Sequence, residues 1–185
     1  YNKIKPEIAF NPSMQNEVVK SYMELNKPDS ARIYLAARLL SERGDKIVLN
    51  CMMAETYIPE GQEDSVFVFL DRAMKSYKEK AKNYQKQGRE AILPNCFLSP
   101  CYLFADLLWK KGKIQQASQY YMIVEPLMKE RVKTPVRMEL QIKALTNFSS
   151  FCRETKQYEK ALDLLARRDS ILQTYLEFKA KNDKK

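Results

Sequence analysis

The chain has 185 residues and a formal net charge of +9, with 32 lysines and arginines against 23 acidic residues. It contains no histidine, which excludes Ser-His-Asp and Cys-His nucleophilic sites, His-ligated zinc and imidazole acid–base chemistry. Glycine occurs only at Gly44, Gly61, Gly88 and Gly112, each between predicted helices where a left-handed cap or turn calls for it, so no phosphate-cradling loop or dinucleotide fingerprint exists.

Residues 1–12, with Pro6 and Pro12, read as an irregular or partly helical lead-in. Ser13 is placed to cap a helix running to about Leu25, whose Met14, Val18, Val19, Tyr22 and Leu25 share one face. Lys27-Pro28-Asp29 ends it, because proline disfavours helix at the residue before it. Asp29 is the expected cap of the partner helix, which carries Ile33, Tyr34, Leu35, Leu39 and Leu40 before Arg43-Gly44-Asp45. The second pair is predicted at 46–58 and 64–87, with Pro59-Glu60-Gly61 as its turn and Asp64 as the cap. Phe67, Leu70, Met74, Tyr77, Ala81 and Tyr84 run along one stripe of its long second helix. Residues 88–99 are the predicted connecting loop. Ser99-Pro100 then reads as a cap followed by proline at the first helical position. The third pair runs to Lys111, turns at Gly112 and continues from Ile114 to about Lys129. Thr134-Pro135 repeats the start signal for a helix over 135–154, and after Thr155-Lys156-Gln157 a last helix continues from Tyr158 to about Lys181. The fold class expected is all-α, in one domain of four hairpins at about 13–43, 46–87, 99–129 and 135–181.

The hairpins share a spacing. It is clearest as Ala105-x2-Leu108-x3-Gly112-x4-Ala117-x3-Tyr121 and recurs as Val19-x2-Tyr22-x3-Asn26-x4-Ala31-x3-Leu35. The other two are Ala54-x2-Tyr57-x3-Gly61-x4-Val66-x3-Leu70 and Ser149-x2-Cys152-x3-Lys156-x4-Ala161-x3-Leu165. A small residue belongs where two antiparallel helices cross closely, and a large one fills the gap a turn later. This pattern resembles the tetratricopeptide repeat (TPR), a helix-turn-helix unit of about 34 residues, over residues 14 to 178. The interval from Val66 to Ala117 is 51 residues against 35 from Ala31 to Val66, so the spacing between hairpins is looser than the family's.

The resemblance implies antiparallel hairpins stacked as a right-handed superhelix, in which each first helix lines a concave groove. Carried over position by position, the groove residues are Asn16, Lys20, Met23 and Glu24, then Cys51, Glu55 and Ile58. They continue with Tyr102, Asp106, Trp109 and Lys110, then Thr146, Ser150, Arg153 and Glu154. Trp109, the single tryptophan, is either an anchor for a bound peptide or packing against the next hairpin. Arg168-Asp169-Ser170-Ile171-Leu172, followed by a charged helix, also looks like the exit from TPR sensor regions of bacterial histidine kinases and related regulators. That likeness implies a protein or peptide ligand, dimerisation through the C-terminal helix, and a place on the periplasmic side of an inner-membrane sensor. Without it, a cytoplasmic scaffold is expected.

The basic residues cluster. Lys75, Lys78, Lys80, Lys82, Lys86 and Arg89 face only Glu79 and Glu90 over one stretch, a pattern that suits phosphate binding or the solvated face of a long helix. Tyr77 and Tyr84 interleave the stripe but read as its buried edge. Of these, Lys75, Lys78, Lys82, Lys86 and Arg89 are the candidate anion-binding residues. A second cluster is Lys129, Arg131, Lys133 and Arg137, and the tail ends on Lys179, Lys181, Lys184 and Lys185. The four cysteines (Cys51, Cys96, Cys101 and Cys152) show no metal-ligand spacing and read as reduced thiols, with Cys96 and Cys101 able to pair in an oxidising compartment. No apolar run is long enough to span a bilayer. Because the chain opens on Tyr1 and stops in a charged helix, it is expected to be a piece of something longer. The leading expectation is a non-enzymatic binding scaffold without cofactor or metal, and the alternative is a nucleic-acid-associated repeat protein using Lys75–Arg89.

Overall fold

A computed structural model describes residues 12–41 and 44–182. The protein is all-α: eight α-helices and one 3-10 turn, with no strand among the described residues. The helices are α1 (Pro12–Glu24), α2 (Pro28–Leu40), α3 (Lys46–Tyr57), α4 (Glu63–Lys86), α5 (Leu98–Lys110), α6 (Ile114–Lys129), α7 (Pro135–Glu154) and α8 (Tyr158–Asn182). They form two compact units, residues 1–96 and 97–185, each built of two hairpins. Residues 1–11 of the lead-in expected over 1–12, Arg43 and the last lysines, Lys184 and Lys185, lie outside the described residues, while Pro12 already belongs to α1.

The four hairpin turns are copies of one another. Asn26, Gly61, Gly112 and Lys156, the turn positions of the repeated spacing, have φ of 53°, 66°, 75° and 61°. In each turn the next N–H returns to a carbonyl five residues back: Lys27 to Tyr22 at 2.8 Å, Gln62 to Tyr57 at 3.2 Å, Lys113 to Leu108 at 2.9 Å and Gln157 to Cys152 at 2.8 Å. This is the closing bond of a left-handed helix cap, which satisfies a carbonyl the helix leaves orphaned. Downstream of each turn, Ala31, Val66, Ala117 and Ala161 are buried; upstream, so are Val19, Ala54, Ala105 and Ser149. Both small positions of the spacing are therefore interior in every hairpin.

Helix starts differ from the sequence reading. α1 opens at Pro12, so Ser13 lies inside the first turn instead of capping it. The N-caps of α2 and α4 are Lys27 and Gln62, and neither makes a side-chain cap bond. Asp29 and Asp64 sit two residues further in, in the first turn, where a carboxylate favours the helix through the exposed N–H groups and the dipole. The Asp45 carboxylate does cap α3, accepting from the Ile47 N–H at 2.9 Å. The 3-10 turn Asn95–Phe97 runs straight into α5, so Ser99 and Pro100 are helical and Phe97 is the N-cap. Thr134 does precede Pro135 at the N-cap of α7, although its hydroxyl makes no cap bond. Pro126 lies within α6, near its end; the bond its missing N–H forfeits is to Met122, which is exposed, so water can satisfy that carbonyl.

In the first unit, Val19, Ala31, Leu35, Leu49, Met52 and Met53 form one core. Arg32 fastens α2 to the next hairpin. Its guanidinium donates to the Thr56 carbonyl at 2.6 Å, pairs with Glu60 at 2.8 Å and lies 3.9 Å over the Tyr57 ring, which stacks on Phe69. In the second unit Tyr121 of α6 stacks on Phe148 of α7 at 4.6 Å and touches Phe151 at 5.1 Å. Gln141 donates to the Leu127 and Glu130 carbonyls, and Arg167 of α8 donates to that of Met128, so side chains cover the end of α6.

Candidate functional site

Three surfaces bear on function: the carried-over groove positions, an open groove on the last hairpin, and the basic face of α4. The groove positions do not form one set. Lys20 and Glu24 are exposed and pair with each other at 3.8 Å, while Met23 packs against the first unit's core. Cys51 is buried, and Glu55 and Ile58 are half-buried.

The third hairpin corrects the reading most. Tyr102 and Asp106, expected to face solvent, are buried, at 5% and 9% exposure. Asp106 accepts hydrogen bonds from the Tyr121 hydroxyl and the Asn147 amide, so α5, α6 and α7 meet at one carboxylate. Burial raises its pKa above the usual carboxylate value, opposed by those two donors and by the charge of Lys110. The Tyr121 hydroxyl is pushed far upward by burial and then by that neighbouring carboxylate. Trp109 is half-buried and meets Phe151 of α7 edge-on at 5.8 Å. The physical reason is α7 itself: it lies across the face of α5 that a two-helix view leaves open. Lys110 alone of the four remains exposed.

On the fourth hairpin the corresponding face is uncovered. Thr146, Ser150 and Arg153 of α7 line a groove of about 390 Å³ with Tyr158, Leu162 and Leu165 of α8. Leu162 is 67% exposed and Tyr158 58%. Along α8, Tyr158, Leu162, Leu165, Leu172 and Leu176 fall within an arc of about 80° at 3.6 residues per turn. This is a second apolar stripe, separate from the Ala161 and Leu164 face buried within the hairpin. That Tyr158, Leu162 and Leu165 border a groove is not legible in the sequence. Among the described residues Arg153 makes no ion pair, and Arg168, also lining the groove, pairs with its neighbour Asp169 at 2.6 Å.

On α4, Lys75, Lys78, Lys82 and Lys86 also fall within an arc of about 80°. All four are exposed and none forms an ion pair among the described residues. Lys80 points elsewhere and pairs with Asp45 at 3.6 Å, and Arg89 lies past the helix end. Tyr77 and Tyr84 are on the opposite side, half-buried, with the Tyr77 hydroxyl donating to the Ala91 carbonyl at 3.1 Å. They therefore edge the core, as their spacing predicts. The second basic cluster is partly neutralised, with Lys129 paired to Glu125 and Arg137 to Glu130.

None of the four cysteines is in a disulfide. A hydrogen bond with Cys51 holds the Cys96 thiol below its ordinary pKa against its burial. Burial pushes Cys152 up to about 11. Among the described residues no cluster of three metal-ligating side chains occurs, and no helix is long and apolar enough to cross a membrane. No family model, curated protein or solved structure matches the chain.

Proposed function

We propose that this chain is a non-catalytic, TPR-like scaffold that captures a protein or peptide segment, and that it is the sensory or regulatory region of a bacterial signalling protein. The observation carrying the binding role is the open groove of the fourth hairpin, where Leu162 and Tyr158 stand exposed beside Thr146, Ser150 and Arg153. Apolar side chains presented in a concave, polar-rimmed surface are what a protein segment can desolvate. The four identical turns support a TPR-like hairpin, and a right-handed stack is the arrangement that likeness implies. The signalling role rests on α8, which runs to Asn182 with its apolar stripe extending to Leu176. Ligand capture would bias the hairpins and be transmitted along that helix.

Selection of displayed random peptides against the whole chain tests the reading. Binders should lose affinity for Leu162→Asp while its circular dichroism and melting stay those of the parent. If no selected peptide depends on Leu162, the groove is not the working surface.

The lysine face of α4 supports a second reading, polyanion binding, because four unpaired cations share one side of a helix. Binding of this kind would weaken steeply with salt, by about 0.9 in logarithmic slope per phosphate neutralised on duplex DNA. Lys75→Gln with Lys82→Gln should flatten that slope; a slope unchanged by the pair removes the reading.

A further inference from the structure

The third hairpin shows what the fourth one's groove is shaped to receive. Aligning the two on their left-handed turn residues, Gly112 and Lys156, places Asp106 over Ser150, Trp109 over Arg153 and Tyr121 over Leu165. On the third hairpin these positions are covered by one helix, α7. Asn147 reaches Asp106, Phe151 meets Trp109, and Phe148 stacks on Tyr121 at 4.6 Å. On the fourth, the equivalent side chains border the open groove. The slot that α7 fills one hairpin earlier is thus repeated, with its floor built and its helix missing.

The chemistry of the slot changes along with its occupancy. Where the third hairpin offers a carboxylate and an indole, the fourth offers a hydroxyl and a guanidinium. Among the described residues, the charged side chains lining the groove are Arg153 and Arg168. Arg153 is exposed without an ion pair, and Arg168 holds only the adjacent, exposed Asp169. A helix laid there must be apolar on its inner face and acidic along its edges. A second copy of this chain carries the wrong net charge, +9 against +9.

We infer that the α7–α8 groove binds an acidic amphipathic helix of a partner protein, seated as α7 is seated on α5 and α6. This rests on the groove being the working surface. Helix-in-groove recognition supplies apolar contact through Leu162 and Leu165, and planar guanidinium groups select carboxylates at the rim.

The test uses two synthetic helices carrying the pattern of α7's core-facing residues, one with glutamates and one with lysines on the flanks. Titrated against the whole chain at low salt, the glutamate helix should bind at least about tenfold tighter, and added salt should narrow the difference. Arg153→Glu should reverse the preference, and Leu162→Asp should weaken both helices. Equal binding of the two, or a preference untouched by Arg153→Glu, overturns the inference. So does sedimentation as a dimer that Leu162→Asp dissociates, which would make the occupant a second copy. Should selected peptides bind in a Leu162-dependent way without helicity or charge preference, the groove stands and the acidic helix falls. If nothing depends on Leu162, both fall.

Discussion

Replacing Lys156 by glycine should stabilise the second unit. Lys156 sits at φ 61° in the turn between α7 and α8, where its Cβ crowds the following carbonyl, and its side chain is exposed. A non-glycine residue in this region costs about 1–2 kcal/mol, of which glycine's greater freedom in the unfolded chain gives back about 0.4–1 kcal/mol. The net gain is roughly 0.5–1 kcal/mol. Gly112→Ala supplies the mirror experiment within the same unit. At φ 75°, with nothing within 4 Å of an added Cβ, its cost is conformational alone and should be of similar size and opposite sign. Denaturant titration followed by circular dichroism measures both, as opposite midpoint shifts at unchanged slope. If Lys156→Gly lowers the midpoint, or Gly112→Ala leaves it in place, the turns are not equivalent and the repeat register is wrong.

Asp106→Ala should destabilise by about 2–4 kcal/mol, because it strips the acceptor from a buried tyrosine hydroxyl and a half-buried amide. The folded pKa of Asp106 is raised, so the stability it lends is full below 3.8 and is lost as pH rises through the folded value. Asp106→Asn should abolish that loss, which a melting series across pH will detect; a parallel pH profile in both proteins would refute it. Cys96 should alkylate first under native conditions, since its thiol is held below the usual value while Cys152 is raised to about 11 and buried. Cys51→Ala should slow that reaction by removing the hydrogen bond to Cys96, as timed labelling with mass spectrometry will show. Ala117→Leu should cost about 1–3 kcal/mol, because Ala117 is fully buried beside the turn, and an unchanged melting midpoint would remove it from the crossing.

The helices and their turns were legible because they depend on near neighbours. Proline and glycine punctuation, a period near 3.6 residues and small residues at fixed distance from each turn placed α6 and α7 at their observed bounds and put the four hairpin turns at Asn26, Gly61, Gly112 and Lys156. Caps were less legible: several polar residues stand near each helix start, and a shift of one or two residues decides whether a carboxylate caps or sits in the first turn. The tertiary structure alone decided which polar faces stay open. Asp106 and Arg153 look alike as positions on a first helix, but α7 covers Asp106 while Arg153 stands exposed at the groove. Arg32 was missed for the same reason, since its partners Thr56, Tyr57 and Glu60 belong to another hairpin. Periodicity records which side of a helix is turned away from its own hairpin; whether a third helix then removes that side from water depends on contacts distant in the chain.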